Sequence, residues 1–196
     1  MTSMTRLSMP DEKELTPEQS KAVAEVVSGR RGKVPAPMIA WLRNPELARR
    51  GQRLGELLRF ETTLEPALSE LAILVCGRYW TSHHEWTAHK KLALSVGVNA
   101  QAIEDIAAGR EPSLTGSREE AVYQISTVLL SQGRLNDTHY QHGIEALGER
   151  GMVELVAILG YYSLVALTLN AFEIGLPEGF APELVSPADS STIENS

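Results

Sequence analysis

From Leu155 to Phe172 the chain carries no charged residue. A helix drawn over that run approaches the length of a membrane span. The same run contains Tyr161, Tyr162, Ser163, Thr168 and Asn170, and its flanks are acidic on both sides (Glu149, Glu154, Glu173, Glu178) with only Arg150 as a nearby cation. The excess of Lys and Arg that orients a spanning helix is missing. The run is therefore expected to be a buried helix, at the centre of a bundle or at a subunit interface, and no membrane partner is expected.

The rest of the chain supplies helices to cover it. Thr16-Pro17-Glu18-Gln19 has an N-cap, a first-turn proline and a Gln three residues on, and opens a helix to about Ser28. Val34-Pro35-Ala36-Pro37 is extended, followed by a short apolar turn from Met38 to Leu42. Asn44-Pro45 opens a helix ending near Phe60, and Pro66 opens a strongly apolar one to about Tyr79. Further helices are expected from His83 to Val96, from an Asn99 cap to Ala108, and from a Ser117 capping box to Gln132. Two more follow, from an Asp137 cap to Leu147 and from Met152 to Ile174. No strand pair, repeat, Gly-rich phosphate loop or Gly-x-Ser-x-Gly elbow interrupts them. The expected architecture is all-α: a flexible segment at 1–15, one helical domain at 16–176, and a loose, Pro-, Ser- and Glu-rich tail at 177–196.

Charge and cysteine usage remove whole classes of function. The net charge of −7 and the scattered cations argue against nucleic acid. The one cysteine, Cys76, rules out an internal disulfide or a Cys-based zinc site, and a two-cysteine peroxidase cycle has no resolving thiol. Together with the polar start of the chain, it leads to an expectation of a reducing, cytoplasmic compartment.

The densest polar cluster runs from Thr81 to His89. At 100° per residue, Ser82, Glu85 and His89 share one helix face, and Glu85 and His89 are four apart, close enough to hydrogen-bond. Glu70 lies on the preceding helix beside Leu71, Ala72, Ile73, Leu74 and Val75. A carboxylate and an imidazole held together form an acid–base pair for proton transfer. The same spacing fits a plain Ser82-x-x-Glu85 capping box with a surface Glu85–His89 pair and a solvated Glu70. Adjacent His83 and His84 point about 100° apart, no HExxH pattern exists, and no metal is expected.

Glu70, eleven residues, then Ser82-x-x-Glu85-x-x-x-His89 resembles the signature of the superfamily of carboxymuconolactone decarboxylases and alkylhydroperoxidase D. Ser82 and Glu85 stand where the peroxidase branch has its Cys-x-x-Cys pair, and Glu85-Trp86-Thr87-Ala88-His89 is similar to the decarboxylase-like branch. Asn44-Pro45-Glu46-Leu47-Ala48, Ala93-Leu94-Ser95-Val96-Gly97, Val153-Glu154-Leu155 and Gly160-Tyr161-Tyr162 extend the likeness over roughly residues 35 to 175.

The resemblance implies a helical bundle of the alkylhydroperoxidase D type and a cofactor-free lyase acting on a small carboxylated lactone or related ring-cleavage product. His89 would be the acid, Glu85 its orienting partner and Glu70 a second acid–base group. Ser82, Trp86 and a cation from among Arg59, Arg78 and Arg53 would bind the substrate. Another proton-transfer enzyme, an isomerase or hydrolase, and a non-catalytic oligomeric bundle remain open. Resemblance and the apolar last helix together lead to an expectation of a homotrimer or homohexamer.

Overall fold

A computed structural model describes residues 5–176 and 179–185. Among them the regular structure is helical: a 3-10 turn at Glu12–Glu14, then α1 (Pro17–Ser28), α2 (Met38–Trp41), α3 (Pro45–Phe60), α4 (Pro66–Tyr79), α5 (His83–Ser95), α6 (Ala100–Ala107), α7 (Ser117–Gln132) and α8 (Asp137–Ala171). The all-α expectation holds.

The helix starts follow local chemistry. Thr16 Oγ1 accepts from Gln19 N–H at 3.2 Å while Gln19 Oε1 accepts from Thr16 N–H at 2.9 Å, a reciprocal cap. Asn44 caps α3 by accepting from Leu47 N–H. Two caps sit one residue earlier than the sequence suggested. Asn136, not Asp137, caps α8 by accepting from His139 N–H, and α7 starts after Gly116, whose N–H donates to Glu119. Adjacent Asn and Asp, or Gly and Ser, both suit an N-cap, so neighbouring packing fixes the register.

Helix α4 is the axis of the molecule. Every residue from Leu68 to Gly77 is buried, and α4 packs on α5, α6, α7 and α8. Each of Leu71, Ile73 and Leu74 is almost fully enclosed, worth about 1.5–3 kcal/mol apiece for transfer from water.

The apolar run expected to end at Ile174 lies in α8, which stops at Ala171. There Glu173 turns the chain at φ 49° and Ile174 N–H closes onto Leu169 O at 2.9 Å. Within α8, Gly148 adopts φ 71° and ψ 168°, a conformation open essentially to glycine alone, and breaks the element into 137–147 and 149–171. Helix α8 packs against α4 and α7, and its second piece buries Leu155, Ile158, Leu159, Tyr162 and Val165. Its opposite side exposes Val153, Val156, Gly160, Leu164, Leu167 and Ala171. These recur at helical spacing and form one apolar stripe.

Described parts of the two end segments touch the bundle. Arg6 N–H donates to Phe172 O at 3.0 Å, Arg6 pairs with Glu173, and Leu7 packs on the core. In the expected tail, Leu184 is buried and Glu183 pairs with Lys90; residues 177, 178 and 186–196 lie outside the described chain. Apolar side chains at Leu7 and Leu184 pack on the core despite the polar sequence around them.

Candidate active site

Helices α4 and α5 form a hairpin through Trp80, Thr81 and Ser82. Thr81 takes the left-handed conformation at φ 48°, costing on the order of 1 kcal/mol for a β-branched residue. That turn lets Ser82 N–H reach back to Gly77 O at 2.8 Å and lays α5 along α4.

The hairpin brings Glu70 of α4 onto His89 of α5. His89 Nδ1 donates to Glu70 Oε2 at 2.6 Å, and both side chains are about nine-tenths buried. A carboxylate so enclosed is tolerable only with such a partner. The sequence expectation that Glu85 orients His89 is corrected here: Glu70 holds the ring, and Glu85 makes no hydrogen bond to it. With Nδ1 engaged, Nε2 is the ring atom left for a reacting group.

Glu85 is 2% exposed, and neither of its oxygens has a protein partner. Burial pushes its carboxyl well above the ordinary value of 4.5. A carboxyl kept neutral in this way carries an O–H that can donate. Ser82 precedes α5 but its hydroxyl does not cap the helix, so the reciprocal Ser82–Glu85 box is absent and both side chains are enclosed without partners.

His89 lines a cavity of about 880 Å³, walled largely by apolar groups such as Ile39, Leu92, Val165, Leu169 and Phe180; Glu85 borders it with its carboxyl oxygens shielded beside Gly77. Aromatic rings brace it: His89 meets Tyr162 edge-on at 5.0 Å, Tyr162 meets Tyr161 at 5.3 Å, and Tyr161 meets Trp41 at 6.3 Å. Burial raises both tyrosine hydroxyls, so they stay protonated. Tyr161 fits because α3 has glycine at position 55, where a methyl group would overlap its hydroxyl and the Arg31 guanidinium. His84 also lines the cavity and its Nδ1 lies 2.7 Å from Gly175 O.

The other expected binding residues divide. Arg59 lines the cavity and stacks over Phe60. Arg78 does not; its guanidinium lies beside Gly109, away from the cavity. Arg53 is bound to Glu25 in an outer cluster. Trp86 is wholly enclosed between helices and Ser82 sits behind the wall, so neither reaches the cavity surface. Ser82 was placed by helical face and Trp86 by resemblance, and neither fixes the depth of packing over a residue.

Glu154 is a structural tether: burial opposes its charge, but Thr63 N–H at 2.7 Å, Thr63 Oγ1 at 2.6 Å and Arg150 outweigh this and lower its pKa. Cys76 does not line the cavity, and burial first, then the nearby Glu85, push its thiol up to about 12. Among the described residues no group of three or more His, Cys, Asp or Glu side chains gathers as a metal site.

Sequence reasoning missed Arg31, Gln52 and Thr87, all on the cavity wall. Arg31 lies in the Gly29-Arg30-Arg31-Gly32 turn after α1 and carries no periodic signal.

No protein-family model matches the sequence, and no curated protein matches it. Solved structures do. The alkylhydroperoxidase AhpD core of an uncharacterized peroxidase-related protein from Ralstonia eutropha JMP134 superposes with a TM-score of 0.75 at 13% identity, over 91% of this chain and 95% of that one. An uncharacterized peroxidase-related protein from Silicibacter sp. TM1040 gives 0.71 at 15% identity, over 88% and 91%. A debrominase, crystallised as a cysteine-to-alanine variant with 2,3,4-tribromopyrrole, gives 0.69 at 13% identity, over 99% and 98%. At these identities the likeness is one of fold: the chain has the alkylhydroperoxidase AhpD-like helical architecture over nearly its whole length.

Proposed function

We propose that this chain is a cofactor-free lyase of the carboxymuconolactone decarboxylase kind, removing carbon dioxide from a small carboxylated lactone or related ring-cleavage product. The observation that carries the reading is the His89–Glu70 contact of 2.6 Å on the wall of an apolar cavity that Glu85, its carboxyl raised by burial, borders.

The chemistry follows from those groups. The bond between the ring carbon and its carboxylate breaks, and carbon dioxide leaves. The electron pair passes through the conjugated alkene to the lactone carbonyl, which serves as the electron sink. The Glu85 O–H donates to the oxygen on which negative charge develops, in surroundings of low dielectric where such a bond is strong. The His89 imidazolium, held in place by Glu70, delivers the proton to carbon through Nε2, and solvent returns a proton to the ring. Glu70 thus takes the orienting role and Glu85 the second acid role, the reverse of the assignment from spacing.

Thiol chemistry has less support. The only cysteine lies outside the cavity with its thiol held in the protonated form. The apolar stripe on α8 supports the expected homo-oligomer, trimer or hexamer, by offering a surface that assembly would cover.

The test is a panel of unsaturated lactone carboxylates and enol acids incubated with metal-free protein and followed by product mass. Loss of carbon dioxide marks the lyase. A product of unchanged mass marks an isomerase and a gain of water a hydrolase on the same site. No turnover of any member would remove the enzymatic reading for this substrate class.

A further inference from the structure

We infer that Arg31 and Gln52 form a carboxylate subsite in this cavity, the Nε–Nη2 edge of Arg31 taking a small carboxylate side-on and the Gln52 amide bonding the polar atom beside it. The inference rests on the lyase reading for the substrate class and adds the residues that select it.

The unpaired atoms of Arg31 are the first argument. The guanidinium interacts with the Tyr161 hydroxyl, but Nε and Nη2 are shielded from solvent and make no hydrogen bond of good geometry. These two nitrogens form one edge of the planar guanidinium, with N–H groups spaced to meet both oxygens of a carboxylate. Arg31 and Gln52 stand between the cavity that holds His89 and a smaller hollow lined by Glu25, Arg49, Arg53 and Glu56.

Nearby acids are already committed. Glu25 accepts from Arg49 Nε at 3.0 Å, Arg49 Nη2 at 2.8 Å and Arg53 Nη2 at 3.2 Å. Glu56 accepts from Arg30 N–H at 2.7 Å. The other cations on the wall present less: Lys33 and Lys91 are exposed, and Arg59 is stacked on Phe60.

Gln52 is the independent observation. It projects from α3, is 5% exposed, and neither its amide oxygen nor its amide nitrogen has a partner. It shares this cavity wall with Arg31, and so does the Tyr162 hydroxyl, likewise buried and unpaired. A buried polar atom left without a bond costs about 1–3 kcal/mol, and native proteins leave few. Three such side chains on one wall are matched by a ligand that brings acceptors for Arg31 and both a donor and an acceptor for Gln52. A carboxylate with a neighbouring lactone or hydroxyl oxygen meets that description. In a chain of net charge −7 no long-range field draws an anion in, so local recognition must do so.

Calorimetric titration of the full chain with paraconate, a carboxylated γ-lactone, and with its methyl ester tests this. Wild type should bind the acid about tenfold or more tightly than the ester, the factor expected of a charge-assisted pair. Arg31→Gln should erase that preference, Arg31→Lys should restore only part of it, and Gln52→Leu should weaken the acid several-fold. In wild type, the Arg31 Nε–Hε NMR resonance should move with the acid and stay with the ester, a readout that needs no variant to fold. Equal binding of acid and ester, a preference that survives Arg31→Gln, an unmoved Arg31 resonance, or no saturable binding of the acid at millimolar concentration overturns the inference. The lyase reading fails separately: selective binding without carbon dioxide release from the substrate panel would leave the subsite standing alone.

Discussion

Replacing Glu85 by Gln should stabilise the protein, and by an amount that grows with pH. Glu85 is 2% exposed, has no partner, and its carboxyl is raised well above 4.5 by burial. In the unfolded chain it ionises near its ordinary value. Between that value and the raised one, the folded state binds a proton that the unfolded state has released. Stability from this group is therefore greatest at low pH and falls as pH rises through the window. The slope is about 1.4 kcal/mol per pH unit for a single proton. Glutamine has almost the same shape and does not titrate, so the wild-type-minus-variant difference isolates Glu85 from every other group.

Urea unfolding of both proteins at pH 5, 6, 7 and 8, followed by tryptophan fluorescence, gives that difference directly. The variant should gain on wild type by about 1.4 kcal/mol at each step until the folded pKa is passed, equivalent to roughly 3–6 °C per step in melting temperature for a domain of this size. A difference that stays flat from pH 5 to 8 would mean that Glu85 is ionised in the fold. The neutral donor of the proposed chemistry would then be lost.

Three further outcomes are expected. His89→Gln retains a donor for Glu70 while removing the proton-transfer group, so turnover should fall on the order of a hundredfold with little change in melting temperature; near-normal turnover would exclude His89 as the acid. Cys76 should resist iodoacetamide at pH 8 in the native protein and react once urea unfolds it, because its thiol is held at about 12; rapid native labelling would contradict its burial. Leu164→Glu, in the middle of the exposed α8 stripe, should shift light scattering towards the 21.5 kDa monomer, whereas a wild-type protein already monomeric at micromolar concentration would remove the proposed assembly.

Much of the backbone was legible because prolines and caps mark helix starts: Pro17, Pro45 and Pro66 each stand in a first turn, as their fixed φ allows. The identities of Glu70, Glu85 and His89 were legible too, through resemblance, but their pairing was not. Spacing along one helix offers Glu85 to His89 as an i,i+4 neighbour, and nothing in a linear pattern ranks that against a partner from another helix. The close approach of α4 and α5, set by the left-handed Thr81, decides it in favour of Glu70. Arg31 and Gln52 were hidden for the same reason. One lies in a turn and the other on a mostly polar helix, and only the packing of α1 on α3 brings them together.

The cavity is walled at one point by Thr5 and at another by Phe180, and Arg6 is hydrogen-bonded to Phe172. During synthesis, then, the helices that hold Glu70 and His89 emerge and can pair long before the enclosure around them closes. A nascent chain stalled ahead of Phe180 would display an assembled proton-transfer pair in an open trough.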